Sequence, residues 1–348
     1  MKLESHPYYP YSTRVLIDLI NAGELPMIVE AHVEPTYGHV GRLVYSDGRV
    51  RFFRNSNRGI NNNGASAISR DKGYTKYFLH RLGYRVPRGE TFLADDYAVL
   101  IDTHLGQHGF DQYATPQKAL SYIETLGYPV VIKPNDESLG KGVFVCYDES
   151  NVTDAMQALR GLAVRVFLVE EHVGYADYRV VVLDGMVRMA YRRFPLQIVG
   201  DGVQTIDALL SAERARLDGG HRRVLFAEDD ARLNKRLRHF GLTRQSVLPA
   251  DEVYIVYDAA NASLGGQVED VTDVLHPYWQ QLCVDVTQAM GLRLCGVDLA
   301  CADIAASGAP YAIFELNASP GLSHYAASGE VQAGKVRQLI KDIYRSLE

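Results

Sequence analysis

Phe314-Glu315-Leu316-Asn317-Ala318-Ser319-Pro320-Gly321 is the stretch from which the fold is read. On a strand, side chains two apart share a face, so Glu315 and Asn317 project together and Phe314 and Leu316 lie on the other side. A carboxylate beside an amide oxygen suits a hard cation such as Mg²⁺, which takes oxygen ligands. Pro320-Gly321 ends the strand. Asp298, in Gly296-Val297-Asp298-Leu299-Ala300, lies on a second apolar segment able to neighbour the first, and it completes a candidate metal set. A solvated polar face is the plainer reading of the Glu315–Asn317 pair alone.

Upstream, Tyr128-Pro129-Val130-Val131-Ile132-Lys133-Pro134 reads as a buried strand with a lysine at its end. A cation there is costly unless it meets an anion. Asn135-Asp136-Glu137-Ser138-Leu139-Gly140-Lys141-Gly142 comes next. Its glycines permit close backbone approach, and successive N–H groups can cradle a phosphate. A plain hairpin loop whose lysine reaches solvent fits the same residues. The GxxxxGK[ST] phosphate loop is absent from the chain, as are HExxH, GxSxG and GxGxxG.

Composition bounds the class. The 348 residues include 36 Lys plus Arg and 42 Asp plus Glu, a formal charge of −6, with 47% apolar and 22% charged residues. That balance excludes a disordered chain, a collagen and a coiled coil. A mildly acidic chain lacks the basic face that nucleic-acid binding needs. No apolar run approaches the ~20 residues that span a bilayer, and residues 1–11 hold no apolar leader segment. The cytoplasm is the expected location, with neither nucleic acid nor membrane as partner. The four cysteines fit no disulfide framework or zinc spacing and read as reduced thiols.

Periodicity predicts an α/β chain of α+β subdomains, divided into residues 1–65, 66–171 and 172–348. The first holds a helix over 14–21, a strand over 27–31 and a hairpin around Ser46-Asp47-Gly48, with a loop over 54–65 after it. The second has helices over 71–82, 116–126 and 152–162 and strands over 128–134, 142–147 and 166–170. The third has a hairpin around Asp184-Gly185, strands over 253–257, 294–300 and 311–316, and helices over 205–217, 277–290 and 331–346. Residues 214–244 are dense in Arg and Lys with acids interleaved. A solvated helical surface and a site for an anionic substrate are both open there.

Taken in order, these pieces resemble an ATP-grasp enzyme. They are Asp71-Lys72 before a helix, Lys133-Pro134 with its glycine loop, Leu168-Val169-Glu170-Glu171, Asp298, and Glu315-x-Asn317 with Ser319-Pro320-Gly321. The sequence is most similar to the ATP-grasp portions of cyanophycin synthetases and bifunctional glutathione synthetases. That likeness rests on Ser69-Arg70-Asp71-Lys72 with Thr75-Lys76, Tyr178-Arg179-Val180, Arg192-Arg193-Phe194-Pro195 with Val199-Gly200-Asp201-Gly202, Asn261-Ala262-Ser263-Leu264-Gly265-Gly266, and Asp270-Val271-Thr272-Asp273 through His276-Pro277. It covers residues 66–325 and does not extend to the Mur-ligase-like or cysteine-ligase halves of those enzymes.

The resemblance implies an ATP-grasp fold, with the nucleotide between two α+β subdomains and a small N-terminal α/β domain. It implies an ATP-dependent carboxylate–amine ligase that acts on small amino-acid-type substrates through an acyl phosphate. Lactam formation by the same chemistry, an ATP-grasp kinase and a non-catalytic nucleotide-binding module are the alternatives. Lys72 and Lys133 would contact the phosphates and the adenine edge. Glu170, Glu171 and Val173 would form the adenine connector, Asp177 would hold the ribose, and Phe314 would pack on the purine. Asp298, Glu315 and Asn317 would hold two Mg²⁺, with Mn²⁺ able to substitute. Arg193 would face the transferred phosphoryl group, and Lys141 would reach it from a lid containing Gly140 and Gly142. Arg179, Arg192, Ser319 and Gly321 are the substrate candidates, with His324 also suited to a carboxylate. The first ~65 residues and the loops 58–63, 196–199 and 262–266 would set specificity. D-alanine ligases carry an arginine two residues before the first metal aspartate. Gly296 stands there, so the resemblance hands that charge to Arg193. The partners expected are a carboxylate and an amine, and both monomer and homodimer are open.

Overall fold

The computed structural model describes residues 2–105, 114–136, 142–218, 231–258 and 265–348. In chain order the elements are α1 (Tyr11–Asn21), β1 (Ile28–Val33), β2 (Val40–Tyr45), β3 (Val50–Arg54), α2 (Asn63–Arg70), α3 (Lys72–Arg81), β4 (Gly89–Leu93), α4 (Asp95–Leu105), α5 (Pro116–Leu126), β5 (Val130–Pro134), β6 (Phe144–Cys146), α6 (Glu149–Gly161) and β7 (Val166–Glu171). After these come β8 (Ala176–Leu183), β9 (Met186–Phe194), β10 (Gln197–Val199), α7 (Ile206–Asp218), α8 (Ala231–His239), β11 (Val253–Ile255), β12 (Gln267–Asp270), α9 (Pro277–Ala289), β13 (Leu294–Cys301), β14 (Tyr311–Asn317), α10 (Ser323–Ala326) and α11 (Glu330–Arg345). The mixture of helices and sheets is that of an α/β chain with α+β units.

Two compact units result. Unit 1 is Met1–Val86, Tyr178–Arg192 and Val268–Glu348, and unit 2 is Pro87–Asp177 and Arg193–Gln267. Unit 1 is built on the antiparallel meander β1-β2-β3 and the five-stranded sheet ordered β12-β9-β8-β13-β14. Its core joins Leu16 and Leu19 of α1, Leu43 and Tyr45 of β2, and Val336, Leu339, Ile340 and Ile343 of α11. The helical spacing of those α11 residues is what buries one stripe of that helix. Asp184 and Gly185, both at positive φ (49° and 76°), form the turn that reverses β8 into β9.

Within residues 54–65, expected as a loop, a helix starts at Asn63. The Asn62 side chain accepts from the Gly64 and Ala65 N–H groups and so caps α2. Next, Asp71 caps α3 by accepting from Tyr74 N–H and places Lys72 at the first helical position.

Unit 2 carries the sheet β4-β7-β5-β6, in which β5 pairs antiparallel with both β6 and β7. Helices α5 and α6 bury Ile123, Val152 and Leu159 against Ile132, Phe167 and Val169. A second core forms around β10, α7, α8 and β11, with Leu233 and Leu237 of α8 buried in it. The arginine-rich α8 is not wholly a solvated surface. Arg236 is largely buried, donating to the Ile255 carbonyl at 2.6 Å and the Tyr147 hydroxyl at 3.0 Å and pairing with Asp258. Lys235 donates to the Asn151 carbonyl. All four cysteines are free and buried. Among the described residues no helix is long and apolar enough to cross a membrane.

Candidate active site

In unit 1 the site is carried by the antiparallel pair β13/β14. Asp298 lies opposite Glu315, and Gly296 opposite Asn317. The register shifts after Asp298, so that Leu299 faces Ile313 and Phe314 is the extra residue. Such a bulge re-aims side chains. Strict alternation groups Phe314 with Leu316. In the structure Phe314 and Glu315 are both half-buried, whereas Ala312, Ile313 and Leu316 are buried. The three candidate ligands meet: Asn317 Nδ2 donates to Glu315 Oε1 at 3.1 Å and to Asp298 Oδ2 at 3.4 Å.

Asp298 is 2% exposed. Such a carboxylate needs a partner, and β8 supplies one. Arg179 Nε and Nη2 donate to the two Asp298 oxygens, each at 2.6 Å. Burial works against the Arg179 charge, but Asp298, Tyr191 and Glu315 outweigh it and hold the guanidinium pKa well above its ordinary value. Arg179 also lies 3.9 Å from Glu315, whose other oxygen is 3.6 Å from Lys72 Nζ. Two carboxylates are thus matched by two cations within unit 1.

Gly296 lies beneath Pro320 and Arg179. A Cβ at that position would lie 3.0 Å from Pro320 Cβ and 3.4 Å from Arg179 Cδ. The space an arginine at 296 would leave by is filled by an arginine arriving from the adjacent strand. The cation beside Asp298 in unit 1 is therefore Arg179.

Two carboxylates and an amide form an all-oxygen donor set, which fits Mg²⁺ or Mn²⁺. Among the described residues no group of three or more His, Cys, Asp or Glu side chains offers a different metal site. The Asn317 amide is assigned with its nitrogen toward the carboxylates, and rotating it by half a turn presents Oδ1 instead.

In unit 2, Lys133 does not reach solvent. It pairs with Glu170, the side chains being 8% and 3% exposed. The β5/β7 register places Lys133 opposite Leu168 and Glu170 opposite Val131, so Glu170 lies two residues along the neighbouring strand. Glu171 accepts from Arg88 Nε at 2.6 Å and from its backbone N–H at 3.0 Å. Both carboxylates are thus engaged, and the Glu171 and His172 N–H groups donate to the Arg88 and Pro129 carbonyls at 2.8 and 3.3 Å. Asp177 Oδ1 accepts from Arg193 Nη2 at 2.7 Å. Gly142 sits at φ 73°, where a side chain is strained, and its Cβ would lie 2.9 Å from Pro134. Gly140 and Lys141 fall outside the described residues.

Of the substrate candidates, Arg179 is taken up by Asp298, and the Ser319 carbonyl accepts from Ser56 Oγ at 3.0 Å. Arg58, in the loop expected to set specificity, is instead buried against the Tyr344 hydroxyl and the Ser56 carbonyl, and that burial lowers its pKa. Spacing did not show the contacts of Asn61, Ser56 and Arg88, which are to main-chain groups or to partners distant in sequence.

A model of the RimK-like ATP-grasp domain matches residues 96–197 and 258–341, just over half of the chain. The chain belongs to the RimK-like ATP-grasp family. The match includes Lys133, Glu170, Arg179, Asp298, Glu315 and Asn317, and it omits the 198–257 segment carrying α7 and α8. The chain is 29% identical over 290 residues to the glutathione biosynthesis bifunctional protein of Enterococcus faecalis, covering 80% of this chain and 35% of that protein. It is 30% identical over 273 residues to the cyanophycin synthetase of Synechocystis, covering 75% and 28%. The chain spans about a third of the length of the curated relatives it matches. The solved bifunctional glutathione synthetase of Pasteurella multocida matches at a TM-score of 0.56 and 23% identity, over 96% of this chain and 44% of that one, which establishes the shared ATP-grasp fold.

Proposed function

We propose that this ATP-grasp chain is an ATP-dependent ligase that joins a small amino-acid-type carboxylate to an amine. The carboxylate oxygen takes the terminal phosphoryl group of ATP and ADP departs. The amine nitrogen then forms the amide bond to the acyl carbon, phosphate leaves and the amine releases a proton. The observation that carries this reading is the β13/β14 pair, with Asp298 opposite Glu315, Asn317 two rungs along and Arg179 against Asp298. Relatives that combine the same family of domain with amide-forming names support it.

Phosphoryl transfer of this kind depends on positioning and charge neutralisation more than on a side-chain nucleophile. Lys72 and Lys133 would bind phosphate oxygens, Asp177 the ribose hydroxyls, and Phe314 the purine face. Mg²⁺ held by Asp298, Glu315 and Asn317 would supply further countercharge on the phosphates. Arg193 and Lys141 would meet the negative charge that develops on the transferred group. Arg179, bidentate on Asp298, would hold that carboxylate in place for the metal, and Arg192, Ser319 and Gly321 would hold substrate. A cytoplasmic location fits the requirement for ATP and the four free thiols.

The test is a panel of amino acids and small dicarboxylates, supplied in pairs with ATP and Mg²⁺. ADP and phosphate release that requires both a carboxylate and an amine, with a product lighter by one water than its two precursors, supports the ligase. A phosphorylated product without phosphate release would assign the chain to phosphoryl transfer.

A further inference from the structure

Asn61 stands in a run of asparagines within the stretch that spacing reads as a loop. Its side chain fills all four of its hydrogen-bonding positions. Nδ2 donates to the carbonyls of Leu294 (2.7 Å) and Ala318 (2.8 Å), and Oδ1 accepts from the N–H groups of Arg293 (2.8 Å) and Leu294 (3.0 Å). A primary amide can make no more than this. Every partner is main chain. Leu294 opens β13, Ala318 comes directly after Asn317, and the last paired rung at this end is Gly296 with Asn317. The Asn61 amide therefore bridges the two strands where their own ladder stops. Five residues earlier in the chain, Ser56 adds a hydrogen bond to the Ser319 carbonyl.

Ladder ends fray more readily than ladder centres, and Asn317 occupies the last rung. We infer that Asn61 is a positioning residue for the metal site: it closes the open end of β13/β14 and so holds the Asn317 amide in line with Asp298 and Glu315. The inference rests on the reading of those three residues as metal ligands. It also gives the N-terminal segment a role in metal binding rather than in substrate choice alone.

The experiment measures Mn²⁺ binding to the full chain with ADP, by electron paramagnetic resonance, alongside thermal unfolding. Asn61→Ala removes all four hydrogen bonds. Asn61→Asp keeps the size and both acceptor contacts but loses the two donors to Leu294 and Ala318, so it decides the matter if the alanine variant does not fold. Both variants are expected to weaken Mn²⁺ by about tenfold, the low end of what supporting residues contribute to a metal site. ADP affinity measured without metal is expected to stay unchanged. Val336→Ala, a cavity in the core of the same unit, is the comparator for general loss of stability and is expected to leave Mn²⁺ affinity unchanged. Unaltered Mn²⁺ binding in Asn61→Asp would overturn the inference, as would an equal loss in Val336→Ala. Glu315→Gln separates the two levels: if it too binds Mn²⁺ normally, the metal assignment has failed and not merely the role of Asn61.

Discussion

Glu170→Gln should destabilise unit 2 far more than the loss of an exposed ion pair would. Lys133 and Glu170 are 8% and 3% exposed, so the substitution leaves a buried ammonium facing a neutral amide. Removing one partner of a buried pair costs about 3–5 kcal/mol, against roughly 0–1 kcal/mol for a surface pair. For a unit of this size each kcal/mol moves the midpoint by about 2–4 °C, so the melting temperature should fall by roughly 6–20 °C. Replacing both residues, as Lys133→Met with Glu170→Leu, removes the stranded charge and should recover most of the loss. The nucleotide gives the second half of the test. Ligand at a hundredfold its dissociation constant stabilises by about 2.7 kcal/mol. If Lys133 is a phosphate ligand, ADP should raise the midpoint of Glu170→Gln at least as much as that of the unmodified chain, and Lys133→Met should gain much less at the same ADP concentration. Differential scanning calorimetry with and without ADP reads all three variants. A cost below about 1 kcal/mol for Glu170→Gln would show that the pair behaves as a surface one. An undiminished ADP effect in Lys133→Met would remove Lys133 from the nucleotide site.

Glu315→Ala and Asn317→Ala should each abolish ATP turnover while circular dichroism stays that of the folded chain, because the loss is of metal countercharge and not of core packing. Gly296→Ala places a Cβ 3.0 Å from Pro320 Cβ, so Pro320 must give way, while the 3.4 Å to Arg179 Cδ is ordinary contact; turnover should fall by roughly tenfold as the turn after Asn317 shifts, which a kcat measurement beside an unfolding curve would separate from simple destabilisation. Asp270 is partly buried, which by itself would raise its pKa, but hydrogen bonds from Lys335, Thr272 and Tyr325 pull it well below the ordinary 3.8. A depressed carboxyl contributes stability that is present above the unfolded-state pKa and is lost as pH falls through the folded one. Asp270→Asn should therefore be less stable at pH 7 by roughly 2 kcal/mol, and urea titrations should show the gap closing as the pH drops below about 4. A gap that stays constant with pH would refute the assignment of that charge.

Local rules made the strand of the candidate metal set legible. Alternation placed Glu315 and Asn317 on one face, Pro320-Gly321 marked where the strand stops, and a second apolar segment made Asp298 a candidate third ligand; the β13/β14 register pairs those two segments. Lysine at the end of an apolar run implied a buried counter-anion, but spacing could not say that Glu170, 37 residues away, provides it. The bulge at Phe314 is invisible to a period of two, since it depends on which residue of β13 the chain chooses to skip. Helix α2 was hidden because Asn62 and Gly64 are loop formers in isolation and become cap and first turn only once the Asn62 side chain accepts from the backbone. Arg179 filling the space over Gly296 is a complementarity between strands β8 and β13, and Asn61 acts wholly on main-chain groups. Neither relation leaves a mark on residue spacing.

In the proposed reaction a substrate carboxylate attacks ATP directly. Once the substrate panel has supplied a working pair, the carboxylate is labelled with ¹⁸O at both oxygens and the released phosphate is analysed by mass spectrometry. In the proposed sequence one carboxyl oxygen stays with the phosphoryl group when the amine displaces it, so one ¹⁸O per turnover should appear in phosphate, and the amide should keep the other. Unlabelled phosphate would mean that water, not the carboxylate, accepts the phosphoryl group, and the ligase account would be contradicted.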